Sequence, residues 1–433
     1  MEESSSEPKS RFINKVMFIF FGIAALLGWN AILTELDYFT NFLGEMDPPT
    51  SFPFLNYILN ISFQFILILK KDLIPLKLEL TLGILGSIVM LILIPLSSSL
   101  LGINELRNKI ITGALLVIMG LINAFASGGF FSYAGHFPIE MIVIFTLGQG
   151  ISAILLNILQ YIVLASINIT DIQKKYVVSG WIFFSFSIII LIVCYILLLL
   201  SYKDDYCKYF LDKVKNSQTS KTRMTGLLSK EERNEENEVQ IETKEEEANQ
   251  ENEEIIQLII EPSFSYIFKK LWLVDILACY AYILTFALFP KVSMSQTIFD
   301  IGEYNGLTII TIYNVFDTIG RYAVKLFKSN KILDMIIVFG RSILIFTVIF
   351  NSYCQKVLDT NLTFTSIFLI INTALLGITN GMAATLTFAI ASEIAEDNIK
   401  KQAGGSIGFF SIFGIFLGTC VAFGTSAIVD SFE

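Results

Sequence analysis

Long apolar runs follow one another along most of this 433-residue chain, and they limit the folds open to it. A helix of about 20 apolar residues spans the hydrocarbon core of a bilayer. Charged residues make up only 16% of the chain, whereas soluble domains carry about 25%. The sequence therefore predicts an all-α polytopic membrane protein. Eleven runs are candidate spans, near residues 13–34, 52–69, 79–101, 110–133, 141–167, 177–201, 268–289, 305–327, 332–353, 363–390 and 403–428.

A polar, acidic stretch separates the sixth candidate span from the seventh. Residues 202–262 hold 9 basic and 16 acidic side chains among many Asn and Gln residues, and such a composition cannot bury a core. We therefore predict that the eleven transmembrane helices are arranged six plus five. The expected regions are a cytosolic tail at 1–12, a six-helix bundle at 13–201, a disordered acidic cytosolic linker at 202–264 and a five-helix bundle at 265–433.

The distribution of Lys and Arg predicts the orientation, because short cytosolic loops carry an excess of these residues. With the N-terminus placed in the cytosol, the short cytosolic segments hold eleven Lys and Arg residues and the opposite loops hold six. We therefore expect a cytosolic N-terminus and an extracellular C-terminus. The plasma membrane is the expected location, and the expected state is a monomer with the lipid bilayer as its surroundings.

Several functional classes are poor fits to this composition. One histidine, His136, leaves no room for a histidine-based metal or catalytic site, and no two of the five cysteines have metal-ligand spacing. The chain has no G-x-x-x-x-G-K-[ST] sequence, which argues against direct use of ATP. We predict no enzyme activity, no catalytic residue, no metal, no cofactor and no nucleic-acid partner.

Ionisable residues at membrane depth are the strongest sign of a function, because an unpaired charge there costs several kcal/mol. In the eighth span Asp317 and Arg321 are four residues apart, so they lie on one helix face, and Asn314 joins that face. One interpretation is a buried ion pair that fixes the position of the helix. The other is a polar contact with a substrate in a central cavity. Both can hold together.

Polar and aromatic residues in other spans add weaker candidates. Trp29 could anchor the first span at the membrane interface or stack on a planar ligand, and Asp37 could lie in the headgroup region or line an outer vestibule. Asp275 and Arg341 are intramembrane charges for which a structural pair and a gating contact are equally open. Ser127, Gln149 and Asn380 could bond to other helices or line a cavity.

Several motifs in order along the chain resemble those of the equilibrative nucleoside transporters. Gly28-Trp29-Asn30 with Tyr38-Phe39 is similar to the first-span pattern of that family, with glycine in place of proline. Gly148-Gln149-Gly150 resembles the fifth-span motif, and Asn314-x-x-Asp317-x-x-Gly320-Arg321 in the eighth span is the most specific match. Asn380-Gly381 and the glycine-rich eleventh span are also similar.

This resemblance implies a major-facilitator-like fold and facilitated transport of nucleosides or nucleobases by alternating access. The alternative that remains is a carrier for another small polar solute, possibly one coupled to protons. The family often has a glutamine where this chain has Ser127, which affects the expected recognition of the base. The expected substrate-binding residues are Leu26, Trp29, Asn30, Leu33, Ser127, Asn314, Asp317, Arg321 and Ile415, and the expected gating or cavity residues are Asp37, Gln149, Asp275, Arg341 and Asn380.

Overall fold

All regular structure in the described part of the chain is helical. The computed structural model describes residues 8–69, 73–99, 105–212, 264–327, 330–358, 360–395 and 399–432. Its helices are α1 (Phe12–Thr34), α2 (Leu36–Leu43), α3 (Pro48–Leu69), α4 (Leu76–Ser99), α5 (Leu106–Asn123), α6 (Gly129–Ala134), α7 (Ile139–Ser166), α8 (Ile172–Ser201), α9 (205–212), α10 (Phe264–Leu288), α11 (Lys291–Met294), α12 (Asn305–Ala323), α13 (Lys331–Gly340), α14 (Ile343–Lys356), α15 (Leu362–Ile394) and α16 (Lys400–Asp430).

Nine helical segments in the described ranges are long and apolar enough to cross a membrane. The polytopic membrane class predicted from the sequence is therefore confirmed. The second and eighth predicted spans are α3 and α12, which are helical but fall outside this set of nine. The predicted fourth span consists of α5, one π-helical turn at Ala124–Gly128, and α6. The ninth is interrupted between α13 and α14.

The two groups of helices repeat one packing scheme. In the first group α1 packs along α7 and α3 packs along α5. In the second group, α10 packs along α16 and α12 packs along α15 in the same way. The groups meet where α3 contacts α16 and where α7 contacts α12. A cavity lies between these two groups, which we call the first half (α1–α8) and the second half (α10–α16).

Glycines allow the helices within each half to approach at backbone distance. A Cβ added to Gly148 would overlap the backbone oxygen of Ile19 in α1, and one added to Gly414 would overlap that of Cys279 in α10. Lipid is as apolar as the helix faces, so helices in a membrane associate through close packing, which small residues permit. Each half is therefore tightly packed internally.

The predicted disordered linker, 202–264, begins too early. Residues 205–212 form α9, and Phe210 of this helix packs its ring against Phe137 at a centroid distance of 5.3 Å. Asn14 Nδ2 donates a hydrogen bond to Asp204 Oδ1 at 2.8 Å. Aromatic residues among the charges allow this segment to cover the end of the first half. The remainder of the linker, 213–263, lies outside the described residues.

Candidate functional site

A cavity of about 140 Å³ lies between the two halves. Its walls come from α1, α3, α7 and the π-helical turn of the first half, and from α10, α12, α15 and α16 of the second. We call the end of the bundle where α1 begins the lower end and the opposite end the upper end. The lining side chains combine aromatic and aliphatic groups with a few amides and one ion pair.

Most of the site residues predicted from the sequence line this cavity. Gln149 and Asn380, which were expected to gate or line a cavity, are among its lining residues. Asp37, Asp275 and Arg341 are not among the described residues that line it. The structure places all nine residues expected to bind substrate in the lining, namely Leu26, Trp29, Asn30, Leu33, Ser127, Asn314, Asp317, Arg321 and Ile415.

The charged centre of the cavity is the Asp317–Arg321 pair on α12. Arg321 Nε donates to Asp317 Oδ2 at 2.7 Å, and each residue is only 5% exposed. Arg321 Nη1 also donates to Gln149 Oε1 at 3.1 Å and to the backbone oxygen of Thr146 at 3.3 Å, both on α7 of the opposite half. The arginine therefore lines the cavity and bridges the halves there.

Asn380 on α15 connects this pair to a second buried arginine. Its Nδ2 donates to Asp317 Oδ1 at 2.8 Å, while its Oδ1 accepts from Thr285 at 2.8 Å and from Arg341 at 3.4 Å. Arg341 Nη2 also donates to Thr285 Oγ1 at 2.7 Å. These contacts give Arg341 its polar partners behind the cavity wall. Asn380 thus contacts both Arg341 and Asp317, and Arg341 does not itself line the cavity.

The other two predicted charges lie in separate environments. Asp275 Oδ2 accepts a hydrogen bond from Ser406 at 3.0 Å, which joins α10 to α16. Asp37, on α2 at the upper end, lies in a small pocket with Gln160 and Tyr176. Burial raises the pKa of the Asp37 carboxyl to about 6. Burial, and secondly the charge of Asp37, raise the pKa of the neighbouring Glu35 carboxyl well above its usual range.

Aromatic side chains form the apolar wall. The rings of Trp29 and Tyr57 meet edge to face at 5.6 Å, and Tyr57 meets Phe286 at 6.3 Å across the halves. Phe289 and Tyr313 stack at 4.2 Å in the second half. Trp29 Nε1 is buried and has no hydrogen-bond partner in the described structure. The wall can thus accept a flat apolar surface.

Sequence reasoning missed lining residues of α3 and α10. Tyr57 and Asn60 of α3 line the cavity, as does Tyr282 of α10. A signal for Asn60 was present, because Asn56, Asn60 and Gln64 repeat at four-residue spacing and so mark a polar face on an apolar helix. The aromatic residues gave no such signal, since apolar spans carry many aromatic residues that simply pack.

The two halves contact each other at both ends of the cavity. At the upper end, Tyr161 hydrogen-bonds Thr308 at 2.8 Å, and Lys291 pairs with Asp47 at 2.9 Å. At the lower end, the ring of Phe131 meets that of Phe388 at 5.2 Å. Contacts of this kind must separate at one end before a molecule can enter or leave.

Comparison with solved structures shows a major facilitator fold. The chain is similar to the xylose transporter XylE from E. coli in a partially occluded inward-open conformation, with a TM-score of 0.55, 12% identity, and coverage of 97% of this chain and 99% of that one. It is also similar to the fucose:proton symporter FucP of E. coli, with a TM-score of 0.53, 12% identity, and coverage of 98% of both chains.

Comparison with known sequences identifies the family. Equilibrative nucleoside transporter 1 of Rattus norvegicus is 22% identical over 475 residues, which cover 98% of this chain and 100% of that protein. Equilibrative nucleotide transporter 1 of Arabidopsis thaliana is 22% identical, over 94% of this chain and 84% of that protein. The sequence model named Nucleoside transporter matches residues 113–427, which is well over half of the chain. This chain therefore belongs to the nucleoside transporter family.

Proposed function

We propose that the chain carries nucleosides across a membrane by facilitated diffusion. The observation that carries this proposal is the Asp317–Arg321 pair, which lines a cavity between the two halves in a member of this family. A buried ion pair serves only packing if it faces other helices, but here both members reach the cavity. It therefore presents a fixed acceptor and fixed donors to a passenger.

The chemistry of the cavity suits an uncharged, partly flat molecule. Asp317 and Arg321 balance each other in charge, so they add no net charge to the cavity wall. Their polar atoms can exchange hydrogen bonds with ribose hydroxyls, while Trp29, Leu26 and Leu33 supply apolar surface for the base. The same surface can hold a free nucleobase, which we propose as a second class of passenger.

Alternating access follows from the contrast between packing within and between the halves. Glycines bring helix backbones into contact inside each half, so each half moves as a unit. Between the halves, the contacts at each end are a few side-chain pairs, such as Tyr161–Thr308 and Phe131–Phe388. We propose that the halves rock about the cavity and open one end at a time, as transporters built from structural repeats do.

We also propose the finer membrane arrangement. Helices α3 and α12 cross the bilayer with the nine more apolar segments, which gives eleven spans in a six-plus-five order. Their polar faces line the cavity, which explains their lower apolarity. The excess of Lys and Arg supports placing the lower end in the cytosol and the C-terminus outside, in the plasma membrane. We propose a monomer that carries out no chemical reaction.

Uptake by whole cells tests this function. The full chain is expressed in a host that lacks nucleoside transport, and uptake of labelled adenosine, inosine, uridine and adenine is compared with that of cells carrying an empty vector. We expect saturable uptake of at least one nucleoside, inhibited by the unlabelled compound and not by xylose or fucose. Surface-expressed protein that moves none of the four, or that moves sugars instead, would refute the proposal.

A further inference from the structure

A row of three amides on α3 faces the fourth-span region of the first half. Asn56, Asn60 and Gln64 are four residues apart, and their exposures are 0%, 1% and 3%. A buried amide normally has hydrogen-bond partners, because leaving one unpaired costs free energy. The partners of each amide in the row therefore indicate whether it serves packing or is available to a ligand.

The outer two amides of the row are anchored to the neighbouring helix. Asn56 Oδ1 accepts a hydrogen bond from Asn123 Nδ2 at 2.9 Å. Gln64 Nε2 donates to Ser127 Oγ at 3.1 Å, and Ser127 in turn donates to the backbone oxygen of Asn123 at 2.7 Å. Neither Asn56 nor Gln64 is among the residues that line the cavity. These two amides join helices.

Asn60, the middle amide, differs because it lines the cavity and no hydrogen bond joins its side chain to another described residue, whereas Asn56 is anchored through its Oδ1 although its Nδ2 also lacks a partner. The Oδ1 of Asn60 is buried without a hydrogen-bond partner in the described structure. Its helix packs closely against Gly120 of α5, because a Cβ added there would overlap the backbone oxygen of Asn56 and lie 3.3 Å from the Asn60 nitrogen. The amide is thus held at the cavity by its helix while lacking a partner from the protein.

The surroundings of Asn60 fit the edge of a planar ring. Tyr57 lies one helical turn before it and meets Trp29 edge to face, so an aromatic pair lies beside the amide. Ser127 belongs to a π-helical turn, a local irregularity that is frequent at functional sites. The ion pair lies on α12, in the opposite half. One cavity therefore has an amide side and a charged side.

We propose that Asn60 determines base specificity by accepting a hydrogen bond from an exocyclic amino group, as on adenine or cytosine. This inference rests on the proposed nucleoside transport. An asparagine amide matches an amino group beside a ring nitrogen, whereas a carbonyl oxygen at the same position would face Oδ1 and repel it. The ribose then points toward Asp317 and Arg321, so sugar and base are recognised by different halves.

Paired substrates test this assignment. Adenosine and purine riboside differ only in the 6-amino group, and inosine has an oxygen there. For the unmodified full-length protein, we expect a KM for adenosine about tenfold lower than for purine riboside, the effect of one hydrogen bond to a buried partner. In Asn60→Leu and in Asn60→Ala, the KM for purine riboside divided by the KM for adenosine should fall from about ten to about one, while purine riboside is still transported. Ser62→Ala, at an exposed position on the same helix, should keep the wild-type ratio.

Three outcomes would overturn the assignment. The first is a ratio of the KM values for purine riboside and adenosine that is the same in the unmodified protein and in the two Asn60 variants. The second is a preference for inosine that depends on Asn60, because it would mean that the amide donates rather than accepts. The third is a failure of the unmodified protein to take up any nucleoside, which would also refute the proposed function. Transport of purine riboside by the unmodified protein distinguishes the first two outcomes from the third.

Discussion

Separating the two members of the ion pair tests whether it serves packing or transport. In Arg321→Met, Asp317 loses the 2.7 Å bond from Nε and keeps only the 2.8 Å bond from Asn380. In Asp317→Asn, the guanidinium keeps Gln149 and the Thr146 carbonyl but loses its counter-charge. Because one buried charge remains unpaired in each case, we expect a loss of about 3–5 kcal/mol of stability.

The double variant Asp317→Asn/Arg321→Met removes both charges together. Replacing a complete buried pair by neutral groups is often close to neutral for stability, so we expect most of the loss to be recovered. Uptake should not be recovered, because the passenger has lost the guanidinium donors and the charged carboxylate acceptor. Thermal unfolding in detergent and uptake per surface-expressed molecule are measured on all four proteins. A double variant that transports at the wild-type rate would show that the pair only holds helices together.

Three further variants test the gates and the packing. Burial raises the pKa of Asp37 to about 6, so the folded protein loses stability as the pH rises through 6. When the pH is lowered from about 7 to about 5, the thermal unfolding midpoint should therefore rise by more in the wild type than in Asp37→Asn. Tyr161→Phe removes the 2.8 Å bond to Thr308, worth about 1 kcal/mol, and should increase labelling of an upper-end cysteine by an impermeant thiol reagent about fivefold. Gly381→Ala should abolish folded expression because its Cβ would overlap a backbone oxygen of α12, whereas Gly424→Ala, which meets nothing, should not.

The membrane class was predictable because lipid imposes one rule on every span. Each span must satisfy its own backbone hydrogen bonds, so length and apolarity together are a strong signal. The same rule made Asp317 and Arg321 conspicuous, since a charge at membrane depth needs a reason. Their four-residue spacing predicts a shared helix face and leaves an ion pair as one interpretation, and the structure has a 2.7 Å bond between them.

The contacts between distant segments were not predictable in this way. No partner for Arg341 is predictable from the sequence, because Thr285 and Asn380 lie 56 and 39 residues away along the chain. Polarity alone groups Asp37 and Asp275 with the cavity residues, but the depth and direction of their side chains depend on helix packing. The ordered helix at 205–212 was hidden by the charge of the surrounding segment.

Transport by the purified protein in liposomes shows whether the chain carries nucleosides by facilitated diffusion through the Asp317–Arg321 site. Labelled adenosine is supplied outside, with and without an inward proton gradient, and the internal concentration is followed to its plateau. We expect the internal concentration to reach the external concentration and stop there with or without the gradient, and liposomes with Arg321→Met to stay at the background of empty ones. Accumulation above the external concentration that requires the proton gradient, or equal uptake by Arg321→Met, would contradict facilitated diffusion through this site.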